Sequence, residues 1–211
     1  MFNSNTHIHQ FLLVYDISKP TEAGTAHASA TLVASPGILD RDNRDTAFNA
    51  ARQGASARYM YMQLTAARAF ALGAGITLSA NATVQWTPDT LLPSEEMGLG
   101  GDSSLRGYAP YVVLGDRGWN VQTELRAPAI AFGASDAVVQ PFMFFDAGRV
   151  WNRIDQPTEY NPGLLAGAGA GVRFQWSRYV DLRCTYGAPL RAATPGGSKA
   201  PIVFVYLSIG T

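Results

Sequence analysis

The chain has 211 residues, 16 Lys+Arg against 16 Asp+Glu, no formal net charge and one cysteine, Cys184. Only 15% of its residues are charged, against about 25% in an average globular domain, while 11% are aromatic and 21 residues are glycine. This balance excludes a disordered chain, a disulfide scaffold and a dedicated nucleic-acid binder.

A helical membrane protein is excluded too. A spanning helix needs about 20 consecutive apolar residues, and the apolar-rich stretch 69–78 is ten residues long and holds two glycines. Residues 1–5 carry no basic start with an apolar segment behind it, so either the chain is cytosolic or its beginning is absent. Low charge, abundant glycine and aromatics, and no helical span fit a transmembrane β-barrel, which hides its apolar band in alternate residues.

The first three expected strands, 6–15, 23–34 and 55–70, alternate weakly. The fourth is clear: from Ile76 to Trp86, Thr77, Ser79, Asn81, Thr83 and Gln85 oppose Ile76, Leu78, Ala80, Ala82, Val84 and Trp86. A helix does not sustain period two. In 118–127, Asn120, Gln122, Glu124 and Arg126 oppose Trp119, Val121, Thr123 and Leu125. An aromatic-rich strand covers 138–148. In 163–176, Gly167, Gly169, Gly171, Arg173 and Gln175 oppose Ala166, Ala168, Ala170, Val172, Phe174 and Trp176. In 179–188, Asp181, Arg183 and Thr185 oppose Val180, Leu182, Cys184 and Tyr186, and a last strand, 202–210, is apolar on both faces.

Ten residues of extended chain, ~33 Å at a tilt of ~45°, cover ~23 Å of height, as a membrane strand requires. Trp86, Trp119, Trp151 and Trp176 stand near strand ends, where interfacial aromatic girdles belong. Long connections (35–54, 87–117, 151–162, 189–200) alternate with shorter ones (16–22, near Ala71, 128–137, near Ser177). The fold class is therefore all-β: a transmembrane antiparallel barrel, with about nine strands here. A soluble β-sandwich is the alternative, weakened by the lack of charge on either face of 76–86.

The segment 87–117 has no periodicity. Loops of that length are functional or signal a wrong assignment, and about 15 extended residues reach ~50 Å, enough to fold back and place Arg106 inside a barrel. An exposed loop with a surface arginine is the plain alternative. Within and after this segment stand Leu91-Leu92-Pro93-Ser94-Glu95-Glu96, Gly98-Leu99-Gly100-Gly101, Ser104-Leu105-Arg106-Gly107-Tyr108 and Gly115-Asp116-Arg117-Gly118, then Thr123-Glu124-Leu125-Arg126-Ala127-Pro128 and Phe144-Phe145-Asp146-Ala147-Gly148-Arg149-Val150-Trp151. In order and spacing these resemble the two-partner secretion transporters, the haemolysin secretion/activation (TpsB) proteins of the superfamily that includes the barrel-assembly protein BamA.

The resemblance implies an outer-membrane barrel of about 16 strands, preceded by periplasmic POTRA domains. The arginine loop joins the eleventh and twelfth strands in that family, so residues 1–211 correspond to the C-terminal portion, with the POTRA domains and first strands absent. It implies that Arg106 reaches inward to an acidic wall formed by Asp146 and Glu124. Leu105, Gly107 and Tyr108 complete the loop motif, and Gly100, Gly101, Gly115, Asp116, Gly118, Phe144 and Gly148 support it. The planar guanidinium fork suits such carboxylates. Leu105 stands where the family often has valine, and the chain ends Leu207-Ser208-Ile209-Gly210-Thr211 rather than on the usual aromatic. The implied function is a pore secreting an unfolded exoprotein passenger, with outer-membrane lipid around it and no cofactor or nucleic acid. A BamA-like assembly factor, a barrel anchoring an enzyme and a passive porin are the rivals.

Other signals carry less. His7 and His9 share a strand face, but no third metal ligand with suitable spacing appears. Gly167 to Gly171 lacks the spacing of a nucleotide loop, and small residues facing a lumen account for it better. Glu95 and Glu96 offer no acid/base geometry, and Ser103 and Ser104 have no elbow or partner histidine. Cys184 reads as a small hydrophobe. No catalytic constellation is read, and no enzyme is expected.

Overall fold

The structure, a computed structural model, describes residues 6–132, 136–156, 159–160 and 163–210. Residues 1–5 and 211, on which the readings of a leader and of the chain's last residue rest, lie outside the described residues. The elements in chain order are β1 (Phe11–Thr21), β2 (Gly24–Pro36), α1 (Asp45–Ala51), β3 (Arg58–Gly73), β4 (Ile76–Trp86), β5 (Met97–Leu99), β6 (Val113–Gly115), β7 (Arg117–Arg126), β8 (Ile130–Phe132), β9 (Ala137–Trp151), β10 (Leu165–Trp176), β11 (Val180–Pro189) and β12 (Ile202–Ile209). They form one antiparallel meander in the order β1-β2-β3-β4-β7-β9-β10-β11-β12, with β8 added on β9, and a separate hairpin of β5 with β6. No described helix is long and apolar enough to cross a membrane.

The register keeps the two faces distinct across the sheet. Gln63 and Thr65 stand opposite Gln85 and Thr83, Asn81 opposite Gln122, Gln122 opposite Asp146, and Arg173 opposite both Gln140 and Arg183. The other face aligns Val84 with Trp119, Leu125 with Met143, and Val172 with Cys184 and then Val205. Because side chains alternate with period two, a slip of one residue would exchange these faces. On the apolar face Val84, Met143, Phe145, Val205 and Ile209 are exposed, and among the described residues no second layer covers it. The sandwich alternative therefore does not form; the second sheet is only the β5–β6 hairpin. An uncovered apolar face of this extent is the surface that hydrocarbon covers in a barrel wall.

The dry interior lies under the connections, on the polar side. One cluster joins Met97, Leu99, Leu105, Tyr108 and Val113 of the long loop to Val150, Leu165 and Ala193. The other joins Phe48, Ala55, Ala57 and Tyr59 to Leu91 and Leu92.

Four details of the sequence reading change. The first strand starts at Phe11 and runs to Thr21, so the connection expected over 16–22 is mostly strand, closed by a tight turn. Residues 11–15 are apolar on both faces, which removes the alternation that would have marked it, and Pro20 is tolerated because β1 is an outer strand of this sheet. The connection 35–54 contains α1. The aperiodic segment 87–117 contains the β5–β6 hairpin. Within 128–137, β8 resumes on β9 the side that β7 occupies, after a break at Pro128, which has no amide proton to donate.

Candidate functional site

The loop between β4 and β7 leaves the strand ends through β5, turns at residues 100–112 and returns through β6. Its tip is built on glycines. Gly100 and Gly101 have φ of 111° and 81°, a region that favours residues without a Cβ, and a Cβ on Gly100 would overlap the Ala109 carbonyl oxygen. The Ser104 hydroxyl donates to Gly100 O (2.8 Å) and accepts from Gly100 N–H (2.9 Å), and Gly101 N–H donates to Tyr108 O (3.0 Å), closing a compact knuckle. Leu105 is fully buried beneath it.

This knuckle lays Arg106 on the polar face of β7 and β9. Its Nε and Nη2 donate to Asp146 Oδ2 and Oδ1, both at 2.8 Å, and its backbone N–H donates to Asp146 Oδ2 at 3.0 Å. Nη1 donates to Glu124 Oε2 (2.8 Å) and Nη2 also reaches Thr123 O (3.3 Å). The guanidinium carbon sits 3.9 Å from the centre of the Phe144 ring, adding a cation–π contact. Arg106 is 3% exposed and Asp146 0%. Glu124 spends its other oxygen on Arg126 Nε (2.7 Å) and Arg173 Nη2 (2.6 Å). Three arginines thus share two carboxylates, and two parallel bonds to Asp146 give Arg106 a defined orientation.

Glycines on the wall make room for this seat. A Cβ on Gly167 would overlap Arg106 O, and one on Gly187 would lie 2.6 Å from Gly107 N. Gly107 itself has φ of 97°, and a Cβ there would lie 2.8 Å from Ala188 C. The Phe144 ring covers Gly169, and Phe142, with Arg173 above it, covers Gly171. The glycines of β10 therefore hold loop backbone and aromatic rings. Tyr108 anchors the tip's return, its hydroxyl 2.8 Å from both Ala166 O and Arg191 O. Asp102 on the knuckle forms a close ion pair with Arg183 of β11.

Gly115, Gly118 and Gly148 serve the loop's roots. A Cβ would lie 2.8 Å from Trp151 N at Gly115, 2.7 Å from Val150 Cγ1 at Gly118 and 3.0 Å from Trp119 O at Gly148. Asp116 does not join Arg106. It accepts Leu91 N–H and Arg153 N–H, each at 2.7 Å, and Arg52 Nη1 at 2.6 Å. Arg52 follows α1 and is almost fully buried; it also donates to Leu91 O (2.6 Å) and, bidentately, to Glu159 (2.9 and 2.8 Å). Glu96 Oε1 lies 2.7 Å from Arg52 Nη2 without a hydrogen bond.

The profile of the haemolysin secretion/activation proteins, ShlB/FhaC/HecB, matches residues 16–174. The chain belongs to this family. Outer membrane transporter CdiB of Escherichia coli O6:K15:H31 (strain 536 / UPEC) is 33% identical over 110 residues, 52% of this chain and 18% of that protein. Among solved structures, CdiB from Escherichia coli superposes with a TM-score of 0.72 at 21% identity, covering 94% of this chain and 35% of that one. CdiB from Acinetobacter baumannii gives 0.61 at 19% identity, covering 93% and 32%. The chain thus spans well under half the length of the relatives it matches, and its sheet is a wall segment of a bacterial outer-membrane β-barrel.

Several residues of this ShlB-type wall were not singled out by the sequence. Arg126 and Arg173 stand on the polar face in the alternation, but nothing local marks them as partners of Glu124. Arg52, Glu159 and Asp102 carry no local signal, since the partners of Arg52 and Glu159 lie in other connections and that of Asp102 is Arg183 on β11, which the alternation marked only as a polar-face residue. His7 and His9 precede β1 and both contact Asp40 Oδ2, at 3.1 and 2.7 Å. The His9 contact is the main reason that the Asp40 carboxyl is held well below its usual range. No group of three or more metal-ligating side chains occurs among the described residues. Glu95 and Glu96 point apart: Glu95 accepts from Gln10 (2.6 Å) and Tyr61 (3.0 Å), while Glu96 faces Arg52.

Proposed function

We propose that residues 1–211 form the C-terminal part of the barrel wall of a two-partner secretion pore, and that the Arg106 loop is a strut folded into its lumen. The polar face lines the bore and the apolar face meets lipid. The passenger is a secreted exoprotein that passes through as extended, unfolded chain; POTRA domains and the first strands belong to the rest of the pore. The likeness to the outer membrane transporter CdiB favours secretion over barrel assembly or an enzyme anchor.

The observation that carries this reading is the buried Arg106–Asp146–Glu124 network on the polar face of a sheet whose other face exposes its large apolar side chains. Such a network fixes a long loop that would otherwise sample many positions. The test uses the full-length transporter with Arg106→Ala or Asp146→Ala. Passenger secretion falls at least tenfold while the barrel still reaches the outer membrane and keeps its heat-modifiable mobility on gels. Normal secretion by both variants refutes the strut.

A further inference from the structure

The strut is held at a second place. Arg52 comes from the β2–β3 connection, Leu91 and Glu96 from the descending leg of the 87–117 loop, Asp116 from its returning leg, and Glu159 from the β9–β10 connection. One buried guanidinium contacts all four. Asp116 adds the amides of Leu91 and Arg153, so both legs and the neighbouring connection meet in one knot. Fixing the roots of a long loop removes much of the chain entropy that seating its tip would otherwise cost.

Resting on the reading of the loop as a pore strut, we propose that Arg52 is a second positioning residue of the translocator, clamping the two loop legs to Arg153 and Glu159 of the β9–β10 connection, with Glu96 buried against its guanidinium. Glu96 faces Arg52 from the β2–β3 connection, Asp116 from the returning leg and Glu159 from the β9–β10 connection; Arg117 is turned away to Thr87 O and the Trp86 ring. One cation therefore faces three carboxylates. Burial pushes the Glu96 carboxyl up to about 7, with Arg52 opposing the rise and Glu159 and Asp116 adding to it. Glu159 moves the other way, lowered first by its hydrogen bond from Arg52.

The sign follows from linkage. A carboxyl raised in the closed clamp binds more protons closed than open, so its contribution is full below the ordinary carboxylate range and is lost as pH rises through about 7. Glu159, already ionised over that window, does not offset it. Opening of the clamp becomes roughly ten- to thirtyfold more favourable between about pH 5.5 and about pH 8.

The experiment is hydrogen exchange of the full-length transporter in nanodiscs at those two pH values, read as protection factors of the loop legs. Wild type loses protection in the legs by that factor at the higher pH. Glu96→Gln removes the pH dependence and keeps the protected state. Arg52→Ala strips protection from the legs at both pH values and lowers secretion, and Arg52→Lys, which keeps the charge but loses the fork, restores part of it. Leg protection indifferent to Arg52→Ala overturns the clamp. If that variant does not assemble, Glu96→Gln decides, and a pH dependence that survives it overturns the proposal. Arg106→Ala separates the two readings: normal secretion with pH-dependent leg protection intact sinks the strut and leaves the clamp.

Discussion

Removing the carboxylate of Asp146 is the sharpest perturbation of this structure. Asp146 is fully buried and accepts three of the bonds that hold Arg106, from the backbone N–H, Nε and Nη2. Asp146→Ala leaves a buried guanidinium with one carboxylate, Glu124, which is already shared with Arg126 and Arg173. Breaking one side of a buried pair costs about 3–5 kcal/mol. Glu124, Thr123 O and the Phe144 ring remain, and water can enter from the polar side, so the lower end, about 3 kcal/mol, applies. That is a shift of roughly 150-fold in the ratio of seated to unseated tip. The tip is read out by labelling Ser104→Cys with a hydrophilic maleimide in a Cys184→Ala background. Ser104 is buried in the knuckle, so labelling is slow when the tip is seated and rises about 100-fold in Asp146→Ala. Arg106→Ala combined with Asp146→Ala is less harmful than the sum of the two, because neither charge is then orphaned. An unchanged labelling rate in Asp146→Ala would refute the argument that this pair holds the loop.

Three further outcomes are expected. Gly167→Val unseats the tip without changing any charge, because its side chain occupies the position of Arg106 O; the same labelling assay shows fast modification and secretion falls as in Arg106→Ala. Glu124→Gln removes the carboxylate that Arg126 and Arg173 share on the polar face, so reversal potentials in planar bilayers shift toward anion selectivity, and an unchanged or cation-shifted potential contradicts the lining. Tyr108→Phe removes one hydroxyl bond to the carbonyl of Ala166 or Arg191; at about 0.5–1.5 kcal/mol for one such bond, tip labelling rises by no more than roughly tenfold.

Strand identity and facing were legible because period two is a local property of extended backbone. Thr77 to Gln85 announced a polar face residue by residue, and the register places that stripe beside Asn120, Gln122 and Glu124. The first strand was misplaced for the converse reason, as residues 11–15 are apolar without alternation. Pairing of Arg106 with Glu124 and Asp146 was expected from family resemblance, not from spacing, and the glycines of β10 were read only as small lumen-facing residues.

The alternation of the central strands by itself therefore determined which of their side chains share a polar face and which an apolar one, since each residue's facing depends only on its position along its own strand. Tertiary structure decided which charges meet. Arg106 and Asp146 are 40 residues apart and Arg52 and Glu159 are 107 apart, and no local rule links them. Only the meander, which sets β7 against β9 and gathers three connections at one end of the sheet, brings a loop tip onto glycines that have no side chain in its way and a second arginine onto the loop's roots.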